Sequence, residues 1–222
     1  MRYEAPESIK AAATMLAKEK GAAFVLAGGT DLLVKMKGGF LEPDLVVDIK
    51  RIKGMYDIKK SATGFRIGAA VPGVALGEHA ALVKAWPGVV EAANLIGSKQ
   101  VQGRCTMVGN MCNASPAADS VPALIAAGAK VAIVGPKGKR TIAVEQVAVS
   151  PGRTSLKKGE IVEASRNDAL TNGVRASICG AAYIAGCIFL LPSFCYNATR
   201  FRYLLTANAT RLATPATRTS MF

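Results

Sequence analysis

The chain has 222 residues, 50% of them hydrophobic and 19% charged, with a mean hydropathy of +0.27; this is apolar material for one or two folded domains and excludes a disordered tail. Lys and Arg number 28 against 15 Asp and Glu, a net charge of +13 and a pI near 9.8, which suits a nucleic acid, an anionic cofactor or an acidic partner surface. The lysines are scattered without interleaved aromatics, so a base-stacking nucleic-acid platform is not expected.

In chain order, Pro6 and Gly21 bracket an amphipathic run over residues 7–19 that puts Ile9, Ala12, Ala13 and Leu16 on one helical face, the pattern of a helix packed on a sheet. A short strand over residues 23–27, a glycine turn, a helix over 31–37 closed by Gly38 and Gly39, and a strand over 45–49 then form a β-α-β unit with parallel strands. From residue 56 the text changes. Short alternating runs suggest an antiparallel hairpin, 56–58 with 65–69, followed by helices over 74–85 and 88–96. A helix over 121–127 closed by Gly128 leads into two β-rich runs, 130–134 and 140–144, joined by a Gly-Pro-Lys-Gly-Lys turn.

Every lysine precedes Glu163, whereas Cys179, Cys187 and Cys195 lie beyond it, and residues 176–199 carry no charge. That uncharged stretch approaches the length of a membrane helix, but its Ser, Gly and Cys content favours a buried segment or an aberrant terminus. The five cysteines contain no C-x-x-C pair and the chain shows no leader-like start, so a reducing, cytoplasmic setting is expected in place of a disulfide scaffold. Cys105 and Cys112 stand seven apart and His79 is the lone histidine, which leaves no recognisable zinc or four-thiolate iron-sulfur spacing.

Two loops carry chemistry. In FVLAGGTDLLVKMKGG, residues 24–39, adjacent glycines follow a strand and precede a helix, so the backbone can approach a ligand and present unpaired N–H groups to a phosphate or pyrophosphate. Thr30 can add a hydroxyl, while Asp31 either competes for the same donors or caps the helix. The plain alternative is a tight turn. In RCTMVGNMCNASPAADSV, residues 104–121, Gly109 and Asn110 can take left-handed angles and Asn113 and Ser115 can cap or turn, making a second polar loop that feeds a second helix. A ligand with more than one polar section fits both loops. There is no G-x-G-x-x-G, no Walker spacing in GPKGKRT and no G-x-S-x-G, and His79 reads as a helix-surface residue.

In this order, LAGGTDLLVKMK, TMVGNMCNASPAADSVPALIAAGA and SPGRTSLKKGEIV resemble the FAD-binding medium subunit of molybdenum hydroxylases, the carbon monoxide dehydrogenase, xanthine dehydrogenase and aldehyde oxidase group, over about residues 3–162. The resemblance implies an α+β, PCMH-type FAD-binding fold. A small β-α-β subdomain would span residues 1–55 and a larger mixed or antiparallel sheet subdomain with helices residues 56–162, with FAD between them. Val25, Leu26, Ala27, Gly28, Gly29, Thr30, Asp31 and Leu32 would hold the pyrophosphate. The second loop, usually T-x-G-G-N, matches Thr106, Met107, Val108, Gly109 and Asn110; Val108 stands where glycine is commoner, which keeps the backbone donor but narrows its angles. Asp119 would bond the polar chain of FAD, Ile96 would pack against the cofactor and Val162 would supply a later backbone contact.

The resemblance further implies an oxidoreductase subunit without catalytic side chains or metal ligands of its own. Its partners would be a large molybdopterin-binding subunit and a small iron-sulfur subunit in a hetero-oligomer; the scattered lysines point to no nucleic acid, and the polarity of the uncharged stretch argues against a membrane. Electrons would pass from iron-sulfur clusters through FAD to NAD, a quinone or oxygen. The alternatives are a stand-alone flavin-dependent oxidoreductase of the same fold and a basic interaction module without cofactor, which a flavin absorption spectrum separates. Nothing over residues 163–222 resembles the family's third subdomain, and the composition break there fits a shifted reading frame or a truncated gene, which sequencing the gene tests.

Overall fold

The structure, a computed structural model, describes residues 1–168. The uncharged stretch over residues 176–199 and the tail from residue 169 on lie outside the described residues, whereas residues 163–168 of the segment read as an atypical tail are described.

The first unit opens with a strand that has no local signal in the sequence, β1 (Arg2–Glu4), which pairs in parallel with β3. Helix α1 (Ile9–Lys18) begins where the Ser8 side chain accepts a hydrogen bond from the Ala11 N–H, and it buries Ala12, Ala13 and Leu16. Strand β2 (Ala23–Leu26), helix α2 (Leu32–Lys37) and strand β3 (Leu45–Asp48) complete the β-α-β unit. Its sheet has the order β1-β3-β2 and is parallel throughout. Helix α2 buries none of its residues, so it rides on the surface of the unit instead of sealing the core.

The second unit is built on a five-stranded antiparallel sheet. Strands β4 (Ile58–Ser61) and β5 (Gly64–Gly68) form the expected hairpin, with the first strand two residues later than expected because the turn falls at residues 62–63. Six helices follow: α3 (Gly73–Glu78), α4 (Ala80–Ala85), α5 (Pro87–Asn94), α6 (Lys99–Gln102), α7 (Met107–Cys112) and α8 (Ser120–Ala126). The single helix expected over residues 74–85 is two. At His79 the backbone leaves helical angles, and the ring Nδ1 caps α4 by accepting from the Leu82 N–H at 3.1 Å. The ring also meets Phe65 edge-on, so His79 is a structural joint and not a helix-surface residue.

Strands β6 (Lys130–Gly135) and β7 (Gly138–Ala143) make the second hairpin, β8 (Ala148–Ser150) and β9 (Arg153–Thr154) a small ribbon, and β10 (Ile161–Asp168) returns to the middle of the sheet. The order is β4-β5-β10-β6-β7, so the last described strand holds the two hairpins together, and it continues past Glu163. A bulge between Val162 and Ala164 bends β10 beside the first unit. One core serves both units: Leu16, Val47 and Ile49 pack in the same cluster as Ile67, Met107, Leu124, Ile133 and Ile161, with α1 touching β3, β6 and β10.

Candidate functional site

Where the two units meet, a cleft of about 450 Å3 opens between the β2–α2 turn, the start of α7 and the segment leading into β10. Its walls combine apolar side chains, Ile49, Ala69, Ile96, Leu156 and Ile161, with the two loops singled out by sequence. That mixture suits a ligand with a flat apolar portion and a polar chain.

The first loop is shaped by contact between the units. A Cβ on Gly28 would stand 1.9 Å from the carbonyl oxygen of Arg104, so this glycine lets the two loop backbones touch. That contact is a requirement for glycine beyond the approach to a ligand expected from sequence. Gly29 is required for a different reason: its φ of +78° lies in the left-handed region. The turn leaves the N–H groups of Gly28, Gly29, Thr30, Asp31 and Leu32 without an acceptor among the described residues. Hydrogen bonding resumes at Leu33, which donates to the Gly29 carbonyl at 3.0 Å.

A partly buried relay supports this loop from beneath. Tyr3 donates its hydroxyl to Asp48 Oδ2 at 2.7 Å, Lys50 Nζ stands 2.7 Å from the same oxygen, and Lys50 Nζ also donates to the Ala27 carbonyl at 3.1 Å. Burial alone would raise the Asp48 carboxyl, but the hydrogen bonds from Lys50 and Tyr3 outweigh it and hold the group below its ordinary range.

The second loop is organised by its side chains. Thr106 caps α7 by accepting from the Gly109 N–H at 2.9 Å, and Asn110 N–H donates to the Thr106 carbonyl. Gly109 and Asn110 therefore sit in helix α7 and neither takes the left-handed angle allowed for them. Val108 is also helical, so the side chain that replaces the commoner glycine brings no strain. The N–H groups of Met107 and Val108 have no acceptor among the described residues. The Asn110 side-chain oxygen accepts from the backbone N–H and the hydroxyl of Ser120, which ties the loop to the start of α8 and leaves the Asn110 amide N–H2, on a residue that lines the cleft, without an acceptor among the described residues.

Of the residues expected at the site, Val25, Ala27, Gly28, Gly29, Thr30, Asp31, Leu32, Ile96, Thr106, Val108, Gly109, Asn110 and Val162 share this lining. Leu26 and Asp119 do not. Leu26 is buried with its Cδ1 toward Gly29. Asp119 precedes α8 without capping it, and burial raises its carboxyl.

The structure adds lining residues that carry no site reading in the sequence, chiefly Lys35, Asn113, Gly152, Leu156, Cys105 and Cys112. By sequence Asn113 is a turn residue; its role across the cleft depends on a contact 82 residues distant, its Nδ2 donating to Asp31 Oδ1 at 3.1 Å. No local signal reports such a contact. Burial raises both thiols, Cys112 to about 12, so they add no charge to the cleft near neutral pH. Among the described residues no group of three or more His, Cys, Asp or Glu side chains is placed to hold a metal ion.

Residues 1–166 match the family described as the FAD binding domain in molybdopterin dehydrogenase, and the chain belongs to that family. It is 31% identical over 171 residues to the carbon monoxide dehydrogenase medium chain of Hydrogenophaga pseudoflava, covering 77% of this chain and 60% of that protein. It is 27% identical over 162 residues to the nicotine 6-hydroxylase medium subunit of Paenarthrobacter nicotinovorans, covering 73% of this chain and 57% of that protein.

Among solved structures it aligns with the Hydrogenophaga pseudoflava carbon monoxide dehydrogenase lacking the molybdenum-pyranopterin moiety, with a TM-score of 0.74 and 31% identity, over 78% of this chain and 60% of that one. It also shares the fold of quinoline 2-oxidoreductase from Pseudomonas putida 86, with a TM-score of 0.73 and 22% identity, over 77% and 60% of the two chains. The α+β fold and FAD as the family's cofactor follow from these likenesses. The chain spans about three fifths of the length of the curated relatives it matches. Among the described residues no helix is long and apolar enough to cross a membrane.

Proposed function

We propose that this chain binds FAD in the cleft between its two units and serves as the electron-transfer subunit of a molybdenum-containing hydroxylase or dehydrogenase. The observation that supports this reading is the run of five amide N–H groups, Gly28 to Leu32, without acceptors among the described residues, on the same cleft as the unpaired backbone N–H groups of Met107 and Val108 and the side-chain amide of Asn110. A diphosphate-bridged dinucleotide offers acceptors for such donors at its centre and an apolar ring for Ile49, Ile96 and Ile161. Gly28 through Leu32 would hold the diphosphate, Asn110 would donate to a cofactor oxygen, and Ile96 and Val162 would pack against an apolar portion.

Bound FAD would accept electrons from iron-sulfur clusters on a partner subunit and deliver them to an acceptor such as NAD, a quinone or oxygen. This chain's own residues bind and orient, and no side chain of the cleft need act as acid or base. Relatives named medium chain or medium subunit support a hetero-oligomer with a large molybdopterin-binding and a small iron-sulfur subunit. The test is spectroscopic: protein purified with FAD present is expected to retain flavin visible absorption after gel filtration. A chain that stays colourless in excess FAD would overturn the reading.

A further inference from the structure

Among the described residues that line the cleft, Asp31 and Lys35 are the only acidic or basic side chains. They lie one helical turn apart on the exposed side of α2, yet they do not pair with each other. Asn113, at the end of α7, stands between them: its Nδ2 donates to Asp31 Oδ1 at 3.1 Å, and its Oδ1 accepts from Lys35 Nζ at 2.7 Å. Each end of the amide meets the charge that suits it, and the relay joins α2 of one unit to the end of α7 in the other.

This arrangement bears on the anion. A diphosphate seated on the N–H groups of residues 28–32 would lie beside the Asp31 carboxylate, whose charge opposes it. Among the described lining residues, Lys35 is the one cation that can offset that charge. Its side chain is exposed and long enough to turn, and its one partner among the described residues is a neutral amide, so exchanging Asn113 for a phosphate oxygen replaces a hydrogen bond charged on one side with one charged on both. Asp31 keeps its bond to Asn113 and stays turned away from the anion.

We propose that Lys35 is a diphosphate-binding residue of the cleft and that Asn113 both presents its ammonium and holds the Asp31 carboxylate aside. The proposal rests on the reading of the cleft as an FAD site. It is tested by measuring FAD affinity of the full chain at low and high ionic strength for wild type, Lys35→Met and Lys35→Arg, with inorganic pyrophosphate as competitor. Lys35→Met is expected to weaken FAD about tenfold at low salt and much less at high salt, and to blunt competition by pyrophosphate. Lys35→Arg is expected to keep wild-type affinity within about threefold.

Because Lys35 is exposed on a helix that buries nothing, both variants should fold, which thermal melts verify. If Lys35→Met binds FAD as tightly as wild type, or loses the same factor at both ionic strengths, the assignment of Lys35 is wrong while the FAD reading stands. If wild type itself binds no FAD, the reading of the cleft fails first.

Discussion

The two loops that face each other across the cleft present the same kind of donor but are held in place by opposite means. The turn over residues 28–32 has no side chain capping it; its shape follows from two glycines and from the carbonyl of Arg104 pressing on one of them. The start of α7 is fixed by side chains, with Thr106 holding Gly109 and Asn110 holding Ser120. A loop made of backbone contacts tolerates almost no added volume, whereas a loop made of caps loses its shape one hydrogen bond at a time. Substitutions in the first loop should therefore act nearly all-or-none, and substitutions in the second should be graded.

The sharpest test is Gly28→Ala. The added Cβ would meet the Arg104 oxygen at 1.9 Å, and that neighbour is backbone, so one unit must shift against the other. The expected cost is about 3 kcal/mol, with loss of FAD binding, read by thermal melting and flavin retention. Gly29→Ala should cost less, about 1–2 kcal/mol, since the strain is that of a left-handed alanine and its nearest neighbours are the yielding tips of Leu33 and Leu26. If the two glycines cost the same, the close approach of the loops is not what distinguishes them.

On the other side of the cleft, Asn110→Ala leaves the fully buried Ser120 hydroxyl without its acceptor, and about 1–2 kcal/mol of stability should go with it. Thr106→Ala removes one cap for about 1 kcal/mol, and Thr106→Ser should restore it. Chemical denaturation reads both. A Thr106→Ala variant that melts as sharply lower as Gly28→Ala would erase the contrast between the loops.

Much of this is legible in the sequence, for reasons that the structure makes plain. The β-α-β unit is visible because Gly29, Gly38 and the apolar runs of β2 and β3 are local signals, and the two loops are visible because glycine, threonine and asparagine mark turns and caps wherever they fall. The features without a local signal depend on distant partners. β1 is three residues long and exists by pairing with β3. The split at His79 depends on the ring capping Leu82 and meeting Phe65. The reason for Gly28 lies 76 residues away in the Arg104 carbonyl, and Asn113 reads as a turn residue until Asp31 and Lys35 are seen on either side of it.

The relay under the first loop offers the smallest and most specific effect. Asp48 titrates below the ordinary carboxylate range in the folded chain, against about 3.9 when unfolded, so its contribution is complete above that value and is lost as pH falls through the lower, folded one. Lys50 meets both Asp48 and the Ala27 carbonyl, so protonating Asp48 should free its ammonium and loosen residues 27–32 before acid disturbs the Thr106 cap, which has no titrating member. Tyr3→Phe removes one of the bonds that hold the carboxyl down. At neutral pH this should cost under about 1 kcal/mol, because the phenol is half exposed, while the acid midpoint moves to higher pH. Amide exchange along the acid limb tells the two loops apart. Protection lost at Leu33 ahead of Gly109 and Asn110 fits a backbone-built loop propped by one ionised carboxylate, and simultaneous loss would mean that both loops open with the whole fold.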